Sequence, residues 1–259
     1  MFTKPSTKAK LIEKELLLQL RNNKISLKKR VVISIGGDGT MLMAIKKYLD
    51  QQVSFIGISA GTLGFLQTIN RDEIELLVQA LVKNSFSEIN APLVAVANSD
   101  KPNEILGYGF NDITVERKGP RAANFDLHID DNAGTFIGDG VIFSTPLGST
   151  AYSLAAGGPI IDSRSQDVLV VTPSNPHISH LYSSLQRPHV LQKGRVIKIS
   201  GTNENLTERP IQLDVDGMTI IEQIEKPVDI FLSDKTVSLL ELKEKDFHSR
   251  IDKKRLGRY

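Results

Sequence analysis

The chain has 259 residues, of which 40% are hydrophobic and 24% charged, ordinary globular proportions that exclude wholesale disorder. Its 32 basic and 30 acidic residues leave a net charge of +2, too balanced to mark a nucleic-acid or membrane surface. Neither Cys nor Trp occurs, which removes disulfides, thiolate metal sites, thiol nucleophiles and Trp stacking platforms.

The length suits one to two domains with a core that needs no covalent staple. Residues 1–20 mix Lys and Glu through their apolar positions, unlike a signal peptide, and no apolar run approaches the roughly 18 residues of a membrane span. A soluble cytoplasmic protein is expected, with no nucleic acid and no membrane among its partners.

Residues 6–22 place Ala9, Ile12, Leu16 and Leu20 at helical spacing among charges suited to a solvated face. Residues 31–35 form a short β-branched run ending in glycines, the pattern of a buried strand. Helical spacing returns over 40–49, a second short strand over 53–58, and an amphipathic helix over 72–83 with Ile74, Leu77, Val78 and Leu81 on one face. This alternation predicts a parallel sheet covered by helices.

Beyond Ala91-Pro92 strands dominate, over 93–97, 105–115, 125–129 and 135–143, with Asp131-Asn132-Ala133-Gly134 as a hairpin turn. Further strands are expected over 168–171, 195–199, 211–215, 228–232 and 237–242, with one helix over about 149–156. The predicted architecture is an α/β N-terminal domain with a parallel sheet, residues 1–95, followed by a β-rich, β-sandwich-like C-terminal domain. The basic stretch 243–258 also carries Glu244, Asp246 and Asp252, which suits a solvated chain end.

Ile35-Gly36-Gly37-Asp38-Gly39-Thr40 joins the first buried strand to a helix. Glycines there admit a close ligand, and backbone N–H groups at such a turn form a cradle for phosphate oxygens. Ligands of open α/β sheets bind at this end of the strands. Asp38 is the odd feature, because a carboxylate would repel phosphate unless a cation intervenes or it faces a hydroxyl. Either answer suggests phosphoryl transfer; the plainer alternative is that Asp38 caps the helix. The turn is neither a Walker A loop nor a dinucleotide fingerprint, since Lys-Ser/Thr and the later third glycine are missing.

Gly36-Gly37-Asp38-Gly39-Thr40 is shared by NAD kinases, 6-phosphofructokinases, and diacylglycerol and sphingosine kinases. The rest of the chain resembles the NAD kinases. Gly61-Thr62-Leu63-Gly64-Phe65-Leu66 is similar to their second motif, and Phe110-Asn111-Asp112 to their Asn-Glu/Asp motif. The run from Gly138-Asp139-Gly140 through Ser144-Thr145-Pro146-Leu147-Gly148-Ser149-Thr150-Ala151-Tyr152 to Ala156-Gly157-Gly158-Pro159-Ile160 resembles their signature. The motifs keep the family's order over nearly the whole chain. Lipid kinases usually continue the glycine turn with Asn-Glu, where this chain has Met41-Leu42. The chain departs from the NAD kinase pattern at Ser59, Leu147, Ala155 or Ala156, and Asp112, and its first strand, Phe2-Thr3, looks clipped.

The resemblance implies a bacterial-type NAD kinase, a transferase that moves a phosphoryl group from ATP or polyphosphate to the 2′-hydroxyl of the adenosine ribose of NAD, giving NADP. It implies that Asp38 faces that hydroxyl as catalytic residue. Gly36, Gly37, Gly39 and Thr40 would hold phosphates whose charge Mg²⁺ offsets. Phe65 would pack on ribose or adenine, and Asn111 and Asp112 would bind the dinucleotide. Asp139 would reach the nicotinamide end, with Ser174 near it. Thr150 and Ala151 would bind adenine, Ser149 or Thr150 capping the helix; Tyr152, Ser153, Leu154, Ala155 and Leu147 would line the same wall.

Read from the residues alone, Asn111-Asp112 also suits a turn between strands, Tyr152 a core aromatic and Asp216-Gly217 a hairpin turn; the resemblance implies for Asp216-Gly217 a place near the substrate. His177 and His180 sit in a Pro-marked loop without clustered acids, a poor zinc site. The family also implies a homodimer or homotetramer, with residues 96–230 as the NAD-binding domain and 231–259 returning to the first domain. The rival readings are a lipid or sugar kinase of the same glycine-turn chemistry, a noncatalytic NAD sensor and a dehydrogenase.

Overall fold

The computed structural model describes residues 1–23, 25, 27, 29–61, 64–130, 132–177, 185–202 and 208–242. Thr62 and Leu63 of the second motif, Asp131 of the expected turn, His180 and the basic stretch 243–258 lie outside the described residues.

In chain order the elements are β1 (Phe2–Thr3), α1 (Thr7–Arg21), β2 (Arg30–Gly36), α2 (Asp38–Tyr48), β3 (Val53–Ser59), α3 (Ile74–Lys83), β4 (Phe86–Asn98), β5 (Lys101–Gly109), β6 (Asp112–Arg117) and β7 (Ala123–Ile129). They continue with β8 (Asn132–Gly138), β9 (Gly140–Ser144), α4 (Tyr152–Ala155), β10 (Val168–Ser174), β11 (His189–Gln192), β12 (Val196–Gly201), β13 (Ile211–Val215), β14 (Met218–Ile221) and β15 (Val228–Leu242). The described residues form two compact units: 1–90 with 237–242, and Ala91–Thr236.

The first unit is built on a parallel sheet. Its β1 pairs with β2, β2 with β3, and the end of β15 with β3 through Ser238 opposite Ser54 and Leu239 opposite Phe55. Alternation along β2 and β3 sends Ile33, Ile35, Ile56 and Ile58 to one face, where they meet Ala9, Ile12 and Leu16 of α1 and Ile74, Leu77, Val78 and Leu81 of α3. Each such buried branched side chain contributes about 1.5–3 kcal/mol. Ser6 starts α1 by accepting the Ala9 N–H at 3.3 Å, and α3 ends on Asn84 in the left-handed region at φ 50°.

The second unit is a β-sandwich. One sheet runs β11-β10-β9-β6-β13-β14 and is antiparallel throughout. The other contains β8, β7, β12 and the start of β15, with a β4–β5 hairpin. Ile113, Val115, Val141, Phe143, Val171 and Leu213 of the first sheet face Phe125, Leu127, Phe136, Ile197, Ile199 and Ile230 of the second. Parallel β/α and antiparallel sandwich together bear out the expected fold class.

Several expected boundaries shift. The strand expected over 105–115 breaks at Phe110-Asn111, and residues 228–242 form one strand where two were expected. Residues 132–134, expected in a turn, lie in β8: Ile129 pairs with Asn132, and Asp130 takes the positive φ of 51°. The helix expected over 149–156 is a 3₁₀ turn, Gly148–Thr150, followed by the single turn α4, because Ala151 at φ −99° and ψ −125° interrupts it.

Candidate active site

In the first unit β2 runs out at Gly36, Gly37 stands at the N-cap, and Asp38 opens α2. Thr40 turns its hydroxyl back to accept the Gly37 N–H at 3.3 Å, which closes the turn. The Asp38 side chain leaves the helix for the segment after β3. Its Oδ2 accepts the Phe65 N–H at 3.0 Å, and its Oδ1 accepts the Leu66 and Gln67 N–H groups at 3.0 and 3.3 Å. Gly64 makes this approach possible, since a Cβ there would lie 2.0 Å from Asp38 Oδ1. So Asp38 is not a helix cap; it is an acid fixed by three consecutive backbone amides. A carboxylate offers about four lone-pair sites, and three donors are seated among the described residues, so Oδ2 keeps one acceptor position.

Gln67 holds the same turn from beneath. It is fully buried, and its Nε2 donates to the Gly37 carbonyl at 2.8 Å and to Ser34 Oγ at 3.1 Å, while its Oε1 has no partner among the described residues. Among the described residues nothing beyond the adjoining backbone lies within 4 Å of where a Cβ would stand at Gly37 or Gly39, which leaves room for a ligand on that side of the turn.

In the second unit the six-stranded sheet has one apolar face in the sandwich core and an opposite face that is polar yet buried. Pairing aligns Asp112 with Ser144, Thr114 with Asp214, and Ser174 with Gly140 and through it Glu116. Thr114 and Asp112 are each 5% exposed and Ser144 and Thr172 not at all. Polar side chains without water need partners, and the segment after β9 supplies some. Ser153 Oγ lies 2.9 Å from Thr172 Oγ1, Thr145 Oγ1 donates to the Phe110 carbonyl at 2.7 Å, and the Thr145 N–H donates to the Asn111 carbonyl at 2.9 Å. Two oxygens stay unspent: among the described residues Glu116 Oε1 and Asp214 Oδ1 are buried without a hydrogen-bond partner.

Burial, and then the neighbouring charges of Asp216 and Glu116, push the Asp112 carboxyl up to about 7. Asp139 is pulled the other way. Arg117 Nε and, at 2.8 Å, Asn175 Nδ2 both donate to its carboxylate and hold it below the usual range. Tyr152 is 42% exposed, and partial burial followed by the Glu116 carboxylate raises its phenol above the ordinary value.

Family profiles for the ATP-NAD kinase N-terminal domain and C-terminal domain match residues 6–86 and 110–241. The chain belongs to the NAD kinase family. The NAD kinase of Sulfurimonas denitrificans is 33% identical to it over 229 residues, which cover 86% of this chain and 76% of that protein. Among solved structures, yeast NADH kinase complexed with NADH matches with a TM-score of 0.75 at 25% identity, over 88% of this chain. This chain spans 66% of the yeast protein's length. An NAD kinase from Archaeoglobus fulgidus in complex with ATP matches with a TM-score of 0.74 at 22% identity, over 97% of this chain and 96% of the other, a likeness of fold.

In this NAD kinase family member Gly36, Gly37, Asp38, Gly39, Thr40 and Phe65 meet in the first unit around the Asp38 anchor. Asn111, Asp112, Ser153 and Ser174 gather in the second at the polar face of the six-stranded sheet. Neither Ser149 nor Thr150 caps α4. Ser149 Oγ donates to the Pro146 carbonyl at 2.6 Å and accepts the Ile161 N–H at 2.9 Å, and Thr150 Oγ1 donates to the Leu147 carbonyl at 3.0 Å. Leu147 is buried and Ser153 points to the sheet, whereas Tyr152, Leu154 and Ala155 are exposed and Ala151 half-exposed. Gln67, Glu116 and Arg117 escaped the sequence reading; Gln67 had one available signal, a polar residue following the apolar pair Phe65-Leu66.

Proposed function

We propose that this chain phosphorylates the 2′-hydroxyl of the adenosine ribose of NAD with ATP, yielding NADP. The observation that carries this reading is the Asp38 carboxylate. Its orientation is fixed by the amides of Phe65, Leu66 and Gln67, and one acceptor position is left on Oδ2. A ribose hydroxyl is almost wholly protonated at neutral pH, so its attack on a phosphoryl group gains from an acid held in place to orient it and accept its proton. A noncatalytic sensor has no use for that group.

Asn111 and Asp112 supply a side-chain amide and a carboxyl to the dinucleotide. The exposed faces of Tyr152 and Leu154 supply apolar contact. ATP as donor agrees with the family's description and with the ATP complex of the Archaeoglobus protein. Among the described residues no three His, Cys, Asp or Glu side chains converge on a metal position. Mg²⁺ would enter with the nucleotide and offset the charge of its phosphates. The assembly that goes with this reading is a homodimer or homotetramer.

Purified protein with ATP, Mg²⁺ and NAD should form NADP, measured with an NADP-specific dehydrogenase, and polyphosphate in place of ATP tests the alternative donor. Asp38→Asn should retain NAD binding by calorimetry and lose turnover by about two orders of magnitude or more. Product formed only from a lipid or sugar acceptor, or undiminished turnover in the variant, overturns the reading.

A further inference from the structure

The break between β5 and β6 leaves Phe110 and Asn111 outside any strand, with Asp112 at the first pair of β6, opposite Ser144. Every backbone N–H and carbonyl of residues 110–112 nevertheless has a partner. The Phe110 N–H donates to Asp216 Oδ2 at 2.9 Å; the Asn111 and Asp112 N–H groups donate to Asp216 Oδ1 at 2.7 and 3.3 Å. The Asp112 carbonyl accepts the Asp216 N–H at 3.0 Å. The Phe110 and Asn111 carbonyls go to Thr145, through its hydroxyl and its N–H. Three N–H groups and three carbonyls are thus satisfied, and a single residue more than a hundred positions away accounts for four of the six.

The side chains show the reverse. Among the described residues no hydrogen-bond partner is seated on the Asn111 side-chain amide or on the Asp112 carboxyl, although Asp112 is only 5% exposed. A backbone tied at every point beneath two unspent polar side chains is the arrangement of a recognition pair set in advance for a ligand. Asp216 can do this because it occupies the left-handed region, φ 47°, with Gly217 at φ 74° behind it in the β13–β14 turn. That conformation suits Asp and Asn among residues with a side chain, and it turns the carboxylate back across the sheet edge.

We propose that Asp216 is the positioning residue of the dinucleotide-binding pair: its carboxylate and amide fix the backbone of residues 110–112 so that Asn111 and Asp112 present their side chains to NAD. The inference rests on the NAD kinase reading for what the pair binds, and on hydrogen bonds within one unit for how the pair is held. Asp216 does not touch the reacting atoms; it acts through Asn111 and Asp112. The second acidic neighbour of Asp112, Glu116, lies on the same strand and is not part of the clamp.

The test uses the full chain as wild type, Asp216→Ala and Asp216→Asn, with two readouts. Asparagine tolerates the left-handed turn and keeps one acceptor oxygen, so it guards against simple misfolding of the alanine variant. Hydrogen–deuterium exchange at residues 110–112 should quicken by ~tenfold or more in Asp216→Ala, with the sandwich strands unchanged, and by less in Asp216→Asn. The KM for NAD should rise by ~tenfold in Asp216→Ala, with partial rescue in Asp216→Asn, while the KM for ATP stays within ~twofold. Unchanged exchange in both variants, or an unchanged KM for NAD, overturns the proposal, as does an equal rise in both KM values. A wild-type protein inert toward NAD would overturn the proposed function instead, and the exchange readout would still decide whether Asp216 holds the segment.

Discussion

A Cβ added to Gly64 would lie 2.0 Å from Asp38 Oδ1, so the loop after β3 and the acid that opens α2 are fitted to each other across 26 positions of sequence. The contact sets the distance at which the Phe65, Leu66 and Gln67 amides reach the carboxylate. Gly64→Ala should therefore push the carboxylate off its three donors. We expect turnover to fall by at least ~tenfold, with a loss of about 1–3 kcal/mol in unfolding free energy from overpacking. Initial rates and urea titration check both; a variant that keeps wild-type turnover would mean that the anchored position of Asp38 is irrelevant to the chemistry.

Gln67 tests the support under the turn. Its Nε2 serves Ser34 and the Gly37 carbonyl, yet its Oε1 is buried without a partner among the described residues, so the residue is a mixed asset to stability. Gln67→Leu removes two buried hydrogen bonds and one orphaned acceptor together. The expected net loss is about 1–2 kcal/mol, since the relieved oxygen offsets part of the cost. Because the Gly37 carbonyl loses a donor, turnover should fall further than stability alone accounts for at a temperature where both proteins are fully folded. A rate equal to wild type under those conditions would reduce Gln67 to a packing residue.

These two cases mark what the sequence could disclose and what it could not. Strand–helix alternation in the first third foretold the parallel sheet, and the glycine turn foretold a carboxylate in an odd place. The polar face of the sandwich was also written in the alternation Asp112-Ile113-Thr114-Val115-Glu116, with Ile113 and Val115 in the core. What the chain did not disclose was where each carboxylate is spent. Asp38 collects amides 27 to 29 residues away, and Asp216 collects them from 104 to 106 residues away. No periodicity links such pairs, because the donors are backbone N–H groups that every residue but proline carries. The misplaced hairpin turn at 131–134 failed for a related reason. Turn-forming residues permit a turn at several registers, and the pairing of Ile129 with Asn132 selects one of them.

Asp112 gives the last prediction its sign. Burial first, and then Asp216 and Glu116, raise its carboxyl from an ordinary 3.8 to about 7. A group that binds its proton more tightly when folded stabilises the fold relative to its charged form wherever the folded protein holds the extra proton. That contribution is fully present below pH 3.8, the unfolded value, and is lost as pH rises through about 7. Other groups titrate over the same range, so the comparison is with Asp112→Asn, which is isosteric and has no charge to desolvate. The variant should gain on the wild type steadily from pH 4 to 8, by a few kcal/mol at the upper end. Near neutrality the wild-type carboxyl is part acid and part carboxylate, able to donate as well as accept, whereas the amide of the variant cannot take up charge. The wild-type KM for NAD should accordingly bend near pH 7 and that of the variant should stay flat. Urea unfolding at several pH values measures the first difference and steady-state kinetics the second. A stability gap that does not change with pH would show that Asp112 is already ionised in the folded protein throughout, and that the polar face tolerates its charge.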